Sequence, residues 1–169
     1  VPHVDPTAKQ SLFKRATRAT VRTRAGTWIA RELVAPIEPK VIKASRGKIV
    51  IGFGFPTLNL TTRGRKSGKP RTATLVYFTQ GDDVVLIASS FGRDAHPAWY
   101  LNLKADPHCE LFSRGRGGRY VAREAGPDER DRLFELARQV YAGYQNYAEK
   151  TDRRIPVMVL SPHEAQAPA

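Results

Sequence analysis

From residue 48 onward the chain is cut into short runs rich in Val, Ile and Thr, at 48–53, 58–62, 72–79 and 84–89, each bounded by glycine, proline or clustered charge. β-Branched side chains are stiff in helices and pack well on a pleated surface, so these runs predict strands. Gly81-Asp82 falls between the third and fourth as a hairpin turn. Connections this short favour antiparallel pairing.

The rest of the chain completes an α+β pattern. A short helix runs through Pro97, Trp99, Leu101 and Leu103, and two more strands at 109–113 and 119–125 flank a glycine-rich hairpin tip at 114–118. Gly126-Pro127 opens the clearest helix, with Asp128, Glu129 and Asp131 near its positive end and Leu133, Phe134, Ala137, Val140 and Tyr141 on one face. A second helical piece is expected over 141–151, broken at Gly143, and a last strand over 155–160. Mostly antiparallel strands with flanking helices suggest a small barrel, whose type the pattern alone leaves open. With 169 residues the chain holds one core. Three parts are expected: a basic N-terminal arm over 1–40, the barrel over 41–162, and a frayed tail over 163–169.

Charge narrows the class of partner. Lys and Arg number 28 against 16 Asp and Glu, a formal +12, which predicts attraction to a polyanion: nucleic acid, anionic lipid or an acidic cofactor. Residues 9–31 carry seven basic side chains and no acid, with Leu12, Phe13, Ala16, Ala19 and Val21 at roughly helical spacing. This reads as an amphipathic arm, packed on its own domain or laid on an anionic membrane. No apolar run approaches about 18 residues and no signal sequence is evident, so a cytoplasmic location is expected. Cys109 is alone, which excludes an internal disulfide, and His3, His96, His108 and His163 show no metal-ligand spacing.

Two segments carry chemistry. Between strands, Leu60-Thr61-Thr62-Arg63-Gly64-Arg65-Lys66-Ser67-Gly68-Lys69-Pro70-Arg71 gathers five basic residues, two glycines and three hydroxyls. Glycines let backbone N–H groups approach an anion, and guanidinium forks add bidentate charge-assisted bonds. The loop lacks Walker spacing, and Gly52-Phe53-Gly54 is no dinucleotide fingerprint. On chemistry alone a solvated basic hairpin and an anion site stand equal. Tyr141, Tyr144 and Tyr147 recur every three residues and can share one broad helix face, as an aromatic core stripe or as a pocket wall. Residues 115–118 (Gly-Arg-Gly-Gly) lack the aromatic platforms of an RNA-binding element.

Taken in order, Thr61-Thr62-Arg63-Gly64-Arg65-Lys66-Ser67-Gly68-Lys69-Pro70-Arg71, Ile87-Ala88-Ser89-Ser90, and His96-Pro97-Ala98-Trp99-Tyr100-Leu101-Asn102-Leu103-Lys104-Ala105-Asp106-Pro107 resemble the deazaflavin-dependent nitroreductase family. The likeness continues through the three tyrosines, Thr151-Asp152-Arg153 and Ile155-Pro156-Val157, so it spans about residues 58–162. It implies a split β-barrel of the flavin-reductase or FMN-binding type that binds coenzyme F420, an 8-hydroxy-5-deazaflavin with an anionic phosphate and glutamate tail. By the same resemblance Arg65, Lys66 and Arg71, with Ser67 and Thr72, hold the tail, while Ala88, Ser89, Trp99 and Asn102 line the deazaflavin. Tyr141, Tyr144 and Tyr147, with Trp28 closing over them, would wall the substrate pocket. Ser90 stands where a family member carries Lys, which removes one cation. The implied reaction is hydride transfer to a quinone, an α,β-unsaturated carbonyl or a nitroaromatic, with Ser89 and Tyr144 as hydrogen-bond donors to the acceptor. The alternatives are a split barrel carrying flavin mononucleotide or an apolar ligand, and a basic nucleic-acid-binding module.

Overall fold

The computed structural model describes residues 1–7 and 55–163. The basic stretch 9–31, Trp28, the expected strand 48–53 and residues 164–169 lie outside them. Period-two alternation appears directly in two strands. β1 (Thr57–Arg63) turns Leu58, Leu60 and Thr62 inward, and β4 (His108–Ser113) turns Cys109, Leu111 and Ser113 inward. By contrast β3 (Asp83–Ile87) and β6 (Val157–Pro162) are buried along most of their length, because both of their faces are covered. With β2 (Pro70–Gln80) and β5 (Arg116–Glu124) they form a closed, wholly antiparallel barrel in the order β1-β2-β3-β6-β5-β4. Closure is made by β4 on β1, with Thr62 opposite Cys109.

Apolar side chains divide between two cores. Inside the barrel lie Leu58, Leu60, Tyr77, Leu86, Leu111 and Leu160, joined by Trp99, Tyr100 and Leu103 from α1 (Ala98–Ala105). On the outside of β2, β3 and β6, Phe78, Val85, Val157 and Val159 meet Leu133, Phe134, Ala137 and Val140 of α2 (Pro127–Val140) and two tyrosines of α3 (Gly143–Ala148). α2 begins as expected, with Pro127 in the first turn and Asp128 and Glu129 beside its positive end. Residues 2–4 lie against β2: the Thr79 N–H donates to the Val4 carbonyl at 2.9 Å and the Tyr77 hydroxyl to the Pro2 carbonyl at 3.0 Å.

The structure corrects four boundaries. The strand expected over 84–89 stops at Ile87, because Ser90, Phe91 and Gly92 take φ of 51°, 58° and 75° and turn the chain back. The hairpin tip is Arg114-Gly115 alone, both at positive φ, and pairing resumes at Arg116. Gly117 belongs to that ladder, where a Cβ would stand 2.9 Å from the Leu111 carbonyl. The helix break comes before Gly143: Tyr141 is extended, at φ −141° and ψ 100°, and its ring lies where a Cβ on Gly143 would be. The last strand begins at Val157, since the carbonyls just before it are otherwise engaged: Arg130 Nε donates to Ile155 at 2.9 Å and the Ala88 N–H to Pro156 at 2.9 Å. No helix among the described residues is long and apolar enough to cross a membrane.

Burial inside the barrel leaves Cys109 6% exposed, and desolvation, followed by the charges of Asp106 and Glu110, pushes its thiol up to about 12. At pH 8 roughly one thiol in ten thousand is thiolate, the reactive form. The native protein is expected to resist a thiol-specific chromogenic reagent for hours and to release one equivalent on unfolding in guanidinium. Rapid native labelling would place Cys109 outside the core.

Candidate functional site

The turn between β1 and β2 folds back on itself. Gly64 donates its N–H to the Lys69 carbonyl at 2.9 Å and its own carbonyl accepts from Ser67 at 3.1 Å and Gly68 at 2.7 Å. A Cβ on Gly64 would sit 2.8 Å from the Ser67 hydroxyl, so only glycine lets the turn close this tightly. Arg65, Lys66, Lys69 and Arg71 consequently project into solvent, and none forms an ion pair with a carboxylate among the described residues. The hairpin is joined to α1 through one buried amide. Asn102 accepts the Arg65 N–H at 3.1 Å and donates to the Thr62 hydroxyl at 3.0 Å. Thr72 bonds Thr61 across the strand pair at 3.0 Å, on the exposed face of the ladder, and the Ser67 hydroxyl accepts from the Lys69 N–H at 3.4 Å. Four cations unpaired with acids among the described residues, projecting from one tight glycine turn, suit a multiply charged anion.

Ala88, fully buried, shares the interior core with Trp99, and Ser89 follows it to the barrel rim. The next residues adopt left-handed backbone, at a cost of about 1–2 kcal/mol for each non-glycine residue, so something else must hold them. Arg153 does. Its Nη2 reaches the carbonyls of Ala88, Ser89 and Arg93, each at 3.3 Å, and its Nη1 lies 2.9 Å from His96 Nδ1. Burial, then the Arg153 charge, push the His96 imidazole below its ordinary value, which suits a neutral ring accepting this bond at Nδ1. Arg153 Nε is buried with no partner. The one sequence signal at Arg153 is the Thr151-Asp152-Arg153 stretch of the resemblance, which says nothing of a bond to carbonyls 60 to 65 residues away.

On the other side of this turn stand the tyrosines. Only Tyr144 and Tyr147 ride on α3; Tyr141 precedes it, so the expected helical stripe is instead a cluster of rings with centroids 5.1, 6.0 and 6.3 Å apart. The hydroxyls of Tyr141 and Tyr147 bond each other at 3.0 Å, while Tyr144 packs deeper, 6.3 Å from Phe134 of α2. Burial, with the neighbouring Tyr141, drives the Tyr144 and Tyr147 phenols far above the usual range, so both stay protonated across the working pH span. Gly92 abuts α3 so closely that a Cβ there would come within 2.9 Å of the Tyr147 carbonyl and of Lys150 Cβ. Arg65 meets Asn102, Trp99 shares a core with Ala88, and the turn after Ser89 meets Tyr147 through Phe91 and Gly92, all at one end of the barrel, whereas Thr72 faces Thr61 on the outside.

Residues 36–162 match the family described as F420H2-dependent quinone reductase, and the chain belongs to that family. An F420H2-dependent quinone reductase of Mycobacterium tuberculosis is 38% identical over 109 residues, covering 63% of this chain and 73% of that protein. Among solved structures, an F420-H2 dependent reductase superposes with TM-score 0.59 at 36% identity, over 63% of this chain and 94% of the other. A chain described as a domain-swapped dimer does so with TM-score 0.61 at 30% identity, over 81% and 99%. The heme storage protein HutZ of Vibrio cholerae shares the fold, with TM-score 0.52 at 12% identity over 76% and 92%.

The Arg153 clasp gives a direct expectation. Lysine keeps the charge yet cannot fork across three carbonyls and an imidazole. Arg153→Lys is expected to lose about 2 kcal/mol, read as a lower urea midpoint at unchanged slope. An unaltered midpoint would show that the left-handed turn is held by other means.

Proposed function

We propose that this chain, as a member of the F420H2-dependent quinone reductase family, reduces quinones through the basic hairpin, the α1 rim and the tyrosine cluster, with residues 41–162 as the coenzyme-binding unit. Coenzyme F420 is the family's cofactor, and when bound in reduced form it supplies a hydride. The observation that carries the proposal is the set of cations Arg65, Lys66 and Arg71, unpaired with acids among the described residues, on a hairpin tied by Asn102 to the helix bearing Trp99. A phosphate and glutamate tail satisfies such a set; an uncharged apolar ligand would leave it idle.

In this reading Arg65, Lys66 and Arg71 hold the tail, with Ser67 and Thr72 at its margin. Ala88, Ser89, Trp99 and Asn102 border the ring system. The work of the remaining residues is electrostatic. Negative charge develops on the acceptor oxygen as hydride arrives, and preset hydroxyl donors stabilise it. Ser89 and Tyr144 are the proposed donors. The Tyr141–Tyr147 pair offers another, because two phenols that bond each other use one proton between them and leave the second for an acceptor. Enones and nitroaromatics present the same kind of oxygen and belong to the same proposal as further acceptors.

Replacing Lys66 and Arg71 together by Ala is expected to weaken coenzyme binding by about 1.5–3 kcal/mol for each charge-assisted bond removed, measured by titrating the coenzyme's fluorescence. An unchanged dissociation constant would remove the hairpin from the site. Tyr144→Phe keeps the ring and deletes the hydroxyl. Coenzyme affinity and Tm should hold, while kcat/KM for menadione falls by a factor equivalent to about 2–4 kcal/mol; a proportionate loss of Tm would make Tyr144 ordinary core.

A further inference from the structure

We infer that Phe91 is a specificity-determining residue of the acceptor pocket: its ring forms the outer wall and favours flat fused-ring quinones over single-ring acceptors. The inference rests on the quinone reductase reading and deepens it.

Phe91 is the more exposed of two large apolar side chains on the described surface, at 51%. Its backbone is left-handed at φ 58°, between Ser90 and Gly92 in the same region. A turn of this shape is most readily built from glycine or asparagine, so a phenylalanine at its apex is unfavourable twice, in conformation and in exposure. Both sides of the turn are nevertheless fixed. Arg153 holds the carbonyls of Ala88, Ser89 and Arg93, and Gly92 is pressed against α3. The ring is therefore aimed, and strain retained by its surroundings is a mark of functional segments.

Its aim has a chemical meaning. Phe91 meets Tyr147 edge-on at 5.8 Å, Tyr147 lies 6.0 Å from Tyr141, and Tyr141 meets Phe55 edge-on at 4.9 Å. Apolar rings occupy both ends of this row and the two bonded hydroxyls its middle. A quinone oxygen matches the middle. The carbon rings beyond it then need an aromatic surface, and Phe91 supplies one next to Ser89. A single ring is satisfied by the tyrosines alone, whereas a second fused ring extends onto Phe91.

The test uses the full chain loaded with coenzyme and compares wild type with Phe91→Ala and Phe91→Gly. Menadione is the two-ring acceptor and 2,3-dimethylbenzoquinone the one-ring acceptor. Both variants should raise the menadione KM about tenfold, leave the one-ring KM within about twofold, and leave the coenzyme dissociation constant unchanged. Menadione binding to protein holding oxidised coenzyme, followed by fluorescence quenching, should weaken by the same factor. Phe91→Gly relieves the left-handed backbone, so its Tm should not fall. Equal changes for both quinones, or none for menadione, would overturn the wall role while leaving the reductase reading intact. A wild type that binds coenzyme and reduces neither quinone would overturn both.

Discussion

Pairing β4 to β1 closes six short strands on themselves, and the placement of the proposed site follows from that closure. A barrel of so few strands has no room for a ligand in its bore, since even eight strands leave an interior just filled by side chains. Tyr77, Leu86, Leu111 and their neighbours fill it here, with Trp99, Tyr100 and Leu103 of α1 alongside them. The proposed site therefore lies at the rim. There the β1–β2 hairpin, the segment after β3 and the start of α1 come together, because the closed register brings these three connections to one end. Closure also removes every strand edge, which protects a barrel otherwise assembled from short, strongly apolar β3 and β6.

At that rim a small number of polar side chains do the positioning. Asn102 is one of few buried polar residues, and both ends of its amide are used, one on the hairpin backbone and one on Thr62. Losing either bond would strand a buried group, so the hairpin and α1 behave as one piece. Arg153 performs the same service for the turn after β3 with four bonds to a stretch whose φ values oppose it. The result is a rim rigid in its scaffold yet open where its cations and Phe91 face outward. Such a surface loses little entropy when a flat, anionic partner settles on it.

The hairpin illustrates how charge and shape divide the work. Its cations would attract any polyanion, and by themselves they leave nucleic acid, lipid and cofactor undecided. In the proposed site selectivity comes from the neighbours, where α1 is tied to the hairpin through Asn102 and the tyrosine cluster holds phenols kept protonated by burial. Protonated phenols are donors, which is what an acceptor oxygen gaining negative charge requires.

The sequence by itself determined the elements that depend on local physics. Among the described residues, strands appeared at the β-branched runs bounded by breakers, α2 began at Gly126-Pro127 because proline and acids suit a helix start, and the basic hairpin stood out by composition together with the order of its glycines. Its motifs also carried the family. What local physics could not reach was decided by tertiary contact. The end of β3 depends on Arg153, more than 60 residues away and bonded only once the barrel has closed. Tyr141 left the expected helix, while Tyr144 and Tyr147 stayed on α3, because Gly143 admits the Tyr141 ring across the start of α3, a contact that spacing of three cannot encode. Phe91 reads in sequence as one more apolar residue in a loop. Only the folded chain, by forcing it into left-handed backbone between α3 and the Arg153 clasp, turns it outward beside Tyr147, because the energy that holds a strained turn comes from the packing around it and not from the residues within it.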